Sequence, residues 1–119
     1  MSLEIKENRE IWSNLVRFLE QTTGKKPKDL NGVLFLIGVQ ELGKGGLRFD
    51  KEQKQDLIHI GICKVLSLGG FYALEGLDGE GWPHWKQVKE MPHIDFLSQE
   101  NLLKHYVIRY FQEEIGVHL

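Results

Sequence analysis

LNGVLFLIGVQEL, residues 30–42, is the stretch whose reading decides the fold. It carries no charge before Glu41, and from Val33 to Val39 it is apolar on every side, so the element it forms must be surrounded by others. The run is too short to cross a bilayer, which takes about 20 residues. Val33, Ile37 and Val39 are β-branched and would suit a buried strand, and periodicity cannot separate that from a buried helix. The length and the Gln-Glu-Leu ending favour helix. On that reading it is the central and most buried helix, with Gly32 and Gly38 allowing neighbours close.

Working outward, Ile5, Ile11, Trp12, Leu15, Phe18 and Leu19 recur at three- and four-residue steps, which predicts an amphipathic helix from Glu4 to about Gln21. Gly24 and the loop Lys25-Lys26-Pro27-Lys28 stop it. On the other side Gly43, Lys44, Gly45 and Gly46 break the chain. Asp50 with Gln53 then has the form of a capping box opening a helix to about Leu68. Its wheel puts Leu57, Ile58, Gly61, Ile62, Val65, Leu66 and Leu68 on one half, and Glu52, Asp56, His59, Cys63 and Ser67 on the other. After Gly69-Gly70 the pattern changes to two short apolar and aromatic runs, Phe71 to Leu77 and Trp82 to Lys89, around Asp78-Gly79-Glu80-Gly81. That predicts a β-hairpin, with Pro83 confining the second strand to an edge. Ser98 is the expected N-cap of a last helix running to about Ile115. The fold class is therefore α+β, mainly α: about four helices with a β-hairpin between the third and the last, in a single globular domain over residues 1–119.

Composition bounds the function. Fifteen Lys and Arg against seventeen Asp and Glu leave a formal charge of −2, which gives no net attraction to nucleic acid or an acidic membrane surface. The lysines at 25, 26 and 28 read as a solvated turn. One cysteine, Cys63, forms no internal disulfide and supplies one of the roughly four ligands of a structural zinc site. No cofactor is implied, no structural zinc is expected, and the charged first ten residues lack the apolar run of a secretory signal. A cytoplasmic location is expected.

Several residues are candidates for chemistry. The segment from Gly38 to Gly45 nearly spells the phosphate-binding loop G-x-x-x-x-G-K-[ST], but Gly45 stands where the magnesium-binding hydroxyl belongs and no helix starts there. Glu41, in the last turn of an apolar helix, faces an unfavourable helix dipole and needs compensation, from an ion pair with a nearby lysine or arginine, from simple exposure at the helix end, or as a metal or substrate contact. His59 and Cys63 lie one helical turn apart on a common face and would suit a metal or an activated thiol. The plain alternative is a solvated polar face. The hairpin gathers Tyr72, Trp82, His84 and Trp85, residue types that anchor interfaces. At least one of the two tryptophans should stay partly accessible.

The segments LFLIGVQELGKG (34–45), DLIHIGIC (56–63) and DGEGWPHW (78–85) together resemble a small family of uncharacterised bacterial proteins of the Bacteroidetes type. The resemblance implies a bacterial, cytoplasmic protein and transfers no catalytic residues. The leading expectation is a non-catalytic binding or interaction module, self-associating through the hairpin aromatics, without nucleic-acid or membrane partners. The alternatives are a metal-dependent or thiol enzyme using Glu41, His59 and Cys63, and a small regulatory or immunity-type partner protein.

Overall fold

A computed structural model describes residues 2–43 and 48–119, with side chains from residue 8 onward. Lys44, Gly45 and Gly46 of the expected break, the first two also in the near phosphate loop, lie outside the described residues, as does the Ile5 side chain. The chain forms α1 (Ser2–Thr23), α2 (Leu30–Leu42), α3 (Lys51–Ser67), β1 (Tyr72–Leu77), β2 (Pro83–Gln87) and α4 (Phe96–Arg109), the last continuing as a π-helical turn over Tyr110–Ile115. The fold is α+β and mainly α, with the antiparallel hairpin between the third and last helices.

Residues 30–42 are helical, which settles the choice between helix and strand. The Asp29 side chain accepts the Gly32 amide and caps the first turn, and Gly43 ends the helix in the left-handed region at φ 71°. The central position, however, belongs to α3, which packs against α2, α4 and both strands. On α2, Val33, Leu34, Ile37, Gly38 and Leu42 are buried, while Phe35, Leu36 and Val39 stay partly exposed. The apolar helix is thus covered completely on one side and only in part on the other, where Phe35, Leu36 and Val39 lie at the margins of the core.

The contact between α2 and α3 is made by a reciprocal pair of glycines. A Cβ built on Gly38 would fall on the Leu57 carbonyl, 2.7 Å from its carbon, and one built on Gly61 would fall on the Leu34 carbonyl, 3.0 Å from its carbon. Each helix therefore rests on the other's backbone. Gly32, expected to serve the same purpose, meets Pro27 and the Asp29 side chain at ordinary distances of 3.5 Å and more.

Asp50 and Gln53 form the expected capping box: the Gln53 amide donates to Asp50 Oδ1 at 2.8 Å and the Asp50 amide to Gln53 Oε1 at 3.0 Å. The wheel assignment of Cys63 is corrected. Cys63 is fully buried, because the hairpin covers the side of α3 that α2 does not. The cap of α4 is Asp95 rather than Ser98, whose amide donates to Asp95 Oδ1 at 2.7 Å.

The main core joins Leu15 and Leu19 of α1, Val33, Leu34 and Ile37 of α2, Val65 and Leu66 of α3, Phe71, and Val107, Tyr110 and Phe111 at the C-terminal end. A second, smaller cluster of Leu42, Leu57 and Ile60 is closed by Phe35, Val39, Phe49 and Trp82. It seats one end of the hairpin.

Candidate functional site

The hairpin pairs Tyr72 with Gln87, Ala73 with Lys86 and Leu74 with Trp85, then, past a bulge at Glu75, Gly76 with His84 and Leu77 with Pro83. Directly opposed residues share a face. Tyr72, Leu74, Leu77, Pro83 and Trp85 therefore form one face, apolar except for Gln87 at its end, and Ala73, Gly76, His84 and Lys86 the other. The apolar face is covered unevenly. Tyr72, Pro83 and Trp85 are half-buried, whereas Leu74 is 52% and Leu77 67% exposed. No third strand joins the sheet among the described residues, so each strand has one open edge. Exposed apolar side chains also stand at Val88, Phe96 and Leu97.

The tryptophans differ in their seating. Trp82 meets Phe49 edge-to-face at 6.4 Å between ring centres and packs on the second cluster, so its role is to seal the hairpin onto the helices. Trp85 is also partly accessible, but its indole Nε1 is buried without an acceptor among the described residues. A buried unpaired donor of this kind costs about 1–3 kcal/mol. His84 works within the hairpin loop: its Nε2 lies 2.9 Å from Asp78 Oδ2, while the amides of Glu80 and Trp82 donate to Asp78 Oδ1 at 2.9 and 3.0 Å. Those donors, the His84 ring foremost, hold the Asp78 carboxyl down at about 2.

Cys63 Sγ lies 3.5 Å from His59 Nε2, so the pair one turn apart does meet. Its environment opposes nucleophilic chemistry. Burial pushes the thiol up to about 11, which leaves only about one molecule in ten thousand as thiolate at neutral pH. The neighbouring Tyr72 hydroxyl is raised as well, by burial first and by Cys63 second.

Glu41 is elsewhere, in a cluster of its own. The Tyr110 hydroxyl donates to Glu41 Oε2 at 2.7 Å, and Lys64 Nζ stands 3.8 Å from Glu41 and 3.2 Å from Glu114. This is the compensation its place at the end of α2 requires. The cluster ties α2, α3 and the π-helical turn together, and burial followed by the Glu41 hydrogen bond holds the Tyr110 hydroxyl protonated. Tyr110 is buried in the main core, and its polar end meets Glu41 there. A buried tyrosine hydroxyl needs a partner, and Glu41 needed a neighbour; only the tertiary structure joins the two demands.

The candidate residues thus fall into separate places rather than one pocket: Glu41 at the α2–α3–π-turn junction, Cys63 buried under the hairpin with the exposed His59 one turn before it and Tyr72 of β1 beside it, Trp82 on the second cluster, and His84 and Trp85 on opposite hairpin faces. No group of three or more His, Cys, Asp or Glu placed to hold a metal occurs among the described residues. Two cavities are lined by other residues, one between α1 and the α1–α2 connection and one beside Asn31, Phe35, Lys51 and Lys54. No helix among the described residues is long and apolar enough to cross a membrane. Compared with protein-family models, with curated proteins and with solved structures, the chain finds no match in any of the three, and its function has to be argued from this geometry.

Proposed function

We propose that the protein is a non-catalytic binding module that associates with a second copy of itself through the β-hairpin. The observation that carries this reading is the half-covered apolar face of a sheet with open edges, with Leu74 and Leu77 bare. A lone two-stranded sheet is marginal in water, and adding a strand satisfies backbone groups while covering apolar side chains. The two edges are not equal. β2 carries Pro83 and Lys86, residues that discourage pairing, whereas β1 has neither over Tyr72-Ala73-Leu74 before the bulge at Glu75. An antiparallel edge is complementary to a copy of itself across a two-fold axis, which favours a second copy over an unrelated strand.

The thiol-enzyme alternative is weakened by the burial of Cys63 and by the engagement of Glu41 with Tyr110 and Lys64 rather than with the Cys63–His59 pair. The reading includes a cytoplasmic location, supported by the single free and buried thiol. Sedimentation of the wild type and of Leu74→Lys over a concentration series tests it. The wild type should dimerise and the variant, altered at an exposed site, should remain folded and monomeric. A wild type that stays monomeric to about 1 mM, where association would be worth no more than about 4 kcal/mol, refutes self-association. A dimer that Leu74→Lys leaves intact moves the interface away from the hairpin.

A further inference from the structure

We propose that the cavity between α1 and the α1–α2 connection binds a small phosphate monoester carried on a flat ring. The cavity measures about 420 Å³, within the range of small-molecule sites. Trp12, Val16 and Pro27 give it apolar walls, and Arg17, Lys26 and Lys28 stand around it. Among the described residues none of these three cations has an ion-pair partner. A chain of net charge −2 thus collects three cations on one concavity, which outnumber the two carboxylates, Glu20 and Asp29, that line it with them.

The connection that presents the lysines is held in place. The Gly24 amide closes α1 onto the Glu20 carbonyl at 2.8 Å, and the Thr23 hydroxyl bonds the Leu19 carbonyl at 2.7 Å while accepting the Lys25 amide at 3.3 Å. Pro27 fixes its own φ and lies against the first turn of α2 at Gly32. The cations' backbone positions are therefore set before any ligand arrives, which lowers the ordering cost of binding. Trp12 is steadied as well, by Lys104 Nζ at 5.2 Å from its ring centre. That lysine, which also pairs with Glu100, adds a further positive charge beside the indole.

The class of ligand follows from the arrangement of charge. A carboxylate carries one charge on two coplanar oxygens and is matched by a single arginine fork. Here the cations come from separate points, α1 and both sides of Pro27, and suit a group with more charge and a third oxygen, as a phosphate monoester has. Two carboxylates also line the cavity. Asp29 is committed through Oδ1 to the Gly32 amide at 2.9 Å, and Glu20 is left to accept from a ligand hydroxyl. The indole and Pro27 supply the surface for a ring.

Titration of the isotope-labelled full chain with phenyl phosphate, followed by nuclear magnetic resonance, tests the proposal. The Trp12 indole N–H should shift and saturate in the millimolar range or below. Arg17→Gln and Lys28→Gln should each weaken binding about tenfold, the worth of one charge-assisted hydrogen bond. Arg17 and Lys28 are exposed, so the variants should keep the wild-type circular dichroism; if Arg17→Gln loses it, the loop variant Lys28→Gln decides. Inorganic phosphate should bind at least several-fold more weakly. Three results overturn the proposal: no saturable shift, benzoate binding as tightly as phenyl phosphate, or affinity unchanged in the charge variants.

Discussion

Replacing Gly38 by alanine adds one methyl group at the point where α2 and α3 touch. That methyl would meet the Leu57 backbone, 2.7 Å from the carbonyl carbon and 3.0 Å from Cα, and nearer still to the oxygen. A side chain could rotate away; a helical backbone with its hydrogen bonds made cannot. Restoring ordinary carbon contact, about 3.5–4.0 Å, requires the helices to part by roughly 1 Å at the crossing, and a gap of that size forfeits about a quarter to a half of the dispersion attraction of the atoms facing it. Overpacking of this kind costs about 1–3 kcal/mol and occasionally more, with the backbone obstacle placing this case at the upper end. Alanine's better helix propensity returns about 1 kcal/mol. The net expectation is a loss of about 2 kcal/mol, or a melting temperature lower by roughly 6–10 °C for a chain of this size. Urea unfolding measures it, with Gly32→Ala as the control in the same helix. There the methyl meets Pro27 and Asp29 Oδ1 no closer than 3.5 Å, and the stability should hold or rise by up to about 1 kcal/mol. Gly61→Ala should reproduce the Gly38 result, and the double variant should cost less than the sum, because the first methyl has already opened the crossing. If Gly38→Ala and Gly32→Ala shift the midpoint alike, backbone-on-backbone packing is not what holds α2 to α3.

Trp82→Ala should destabilise by about 2–4 kcal/mol, since it strips the cover from Leu42, Leu57 and Ile60, whereas Trp85→Phe keeps an aromatic ring, removes an unpaired donor and should change stability by less than about 1 kcal/mol in thermal unfolding. Cys63 should react with a thiol reagent only through opening of the fold, so that its labelling rate rises in step with denaturant; rapid stoichiometric labelling of the native protein would contradict the buried, protonated thiol. Asp78 has its folded-state carboxyl lowered from 3.8 to about 2, so its contribution to the hairpin loop is present above about pH 4 and fades as the pH falls towards 2. Resonances of the 78–84 loop should move through that window in the wild type and stay still in Asp78→Asn.

Element identity was written locally. The period of α1, the Asp50–Gln53 box before α3 and the run of turn residues between β1 and β2 each act through neighbours in sequence, and each appears at its expected place. Residues 30–42 needed length and ending as well as pattern, because an apolar run satisfies buried helix and buried strand alike. Which helix sits at the centre was decided by packing. A wheel places Cys63 opposite Leu57 and Leu66 as though one side of α3 faced water, but β1 and β2 close over that side and bury the thiol. The candidate site divides in the same way. That Glu41 required a partner follows from the dipole of its own helix, but that the partners are Tyr110 and Lys64 depends on contacts spanning up to 69 residues of sequence. Likewise the lysines at 26 and 28 are exposed in the connection, as a solvated turn requires, and only the fold brings them to one cavity with Trp12 and Arg17. Local hydrogen bonding and side-chain period fix what each segment becomes; the company a side chain keeps is fixed by the volume that all segments must share, and no single segment of the sequence holds that information.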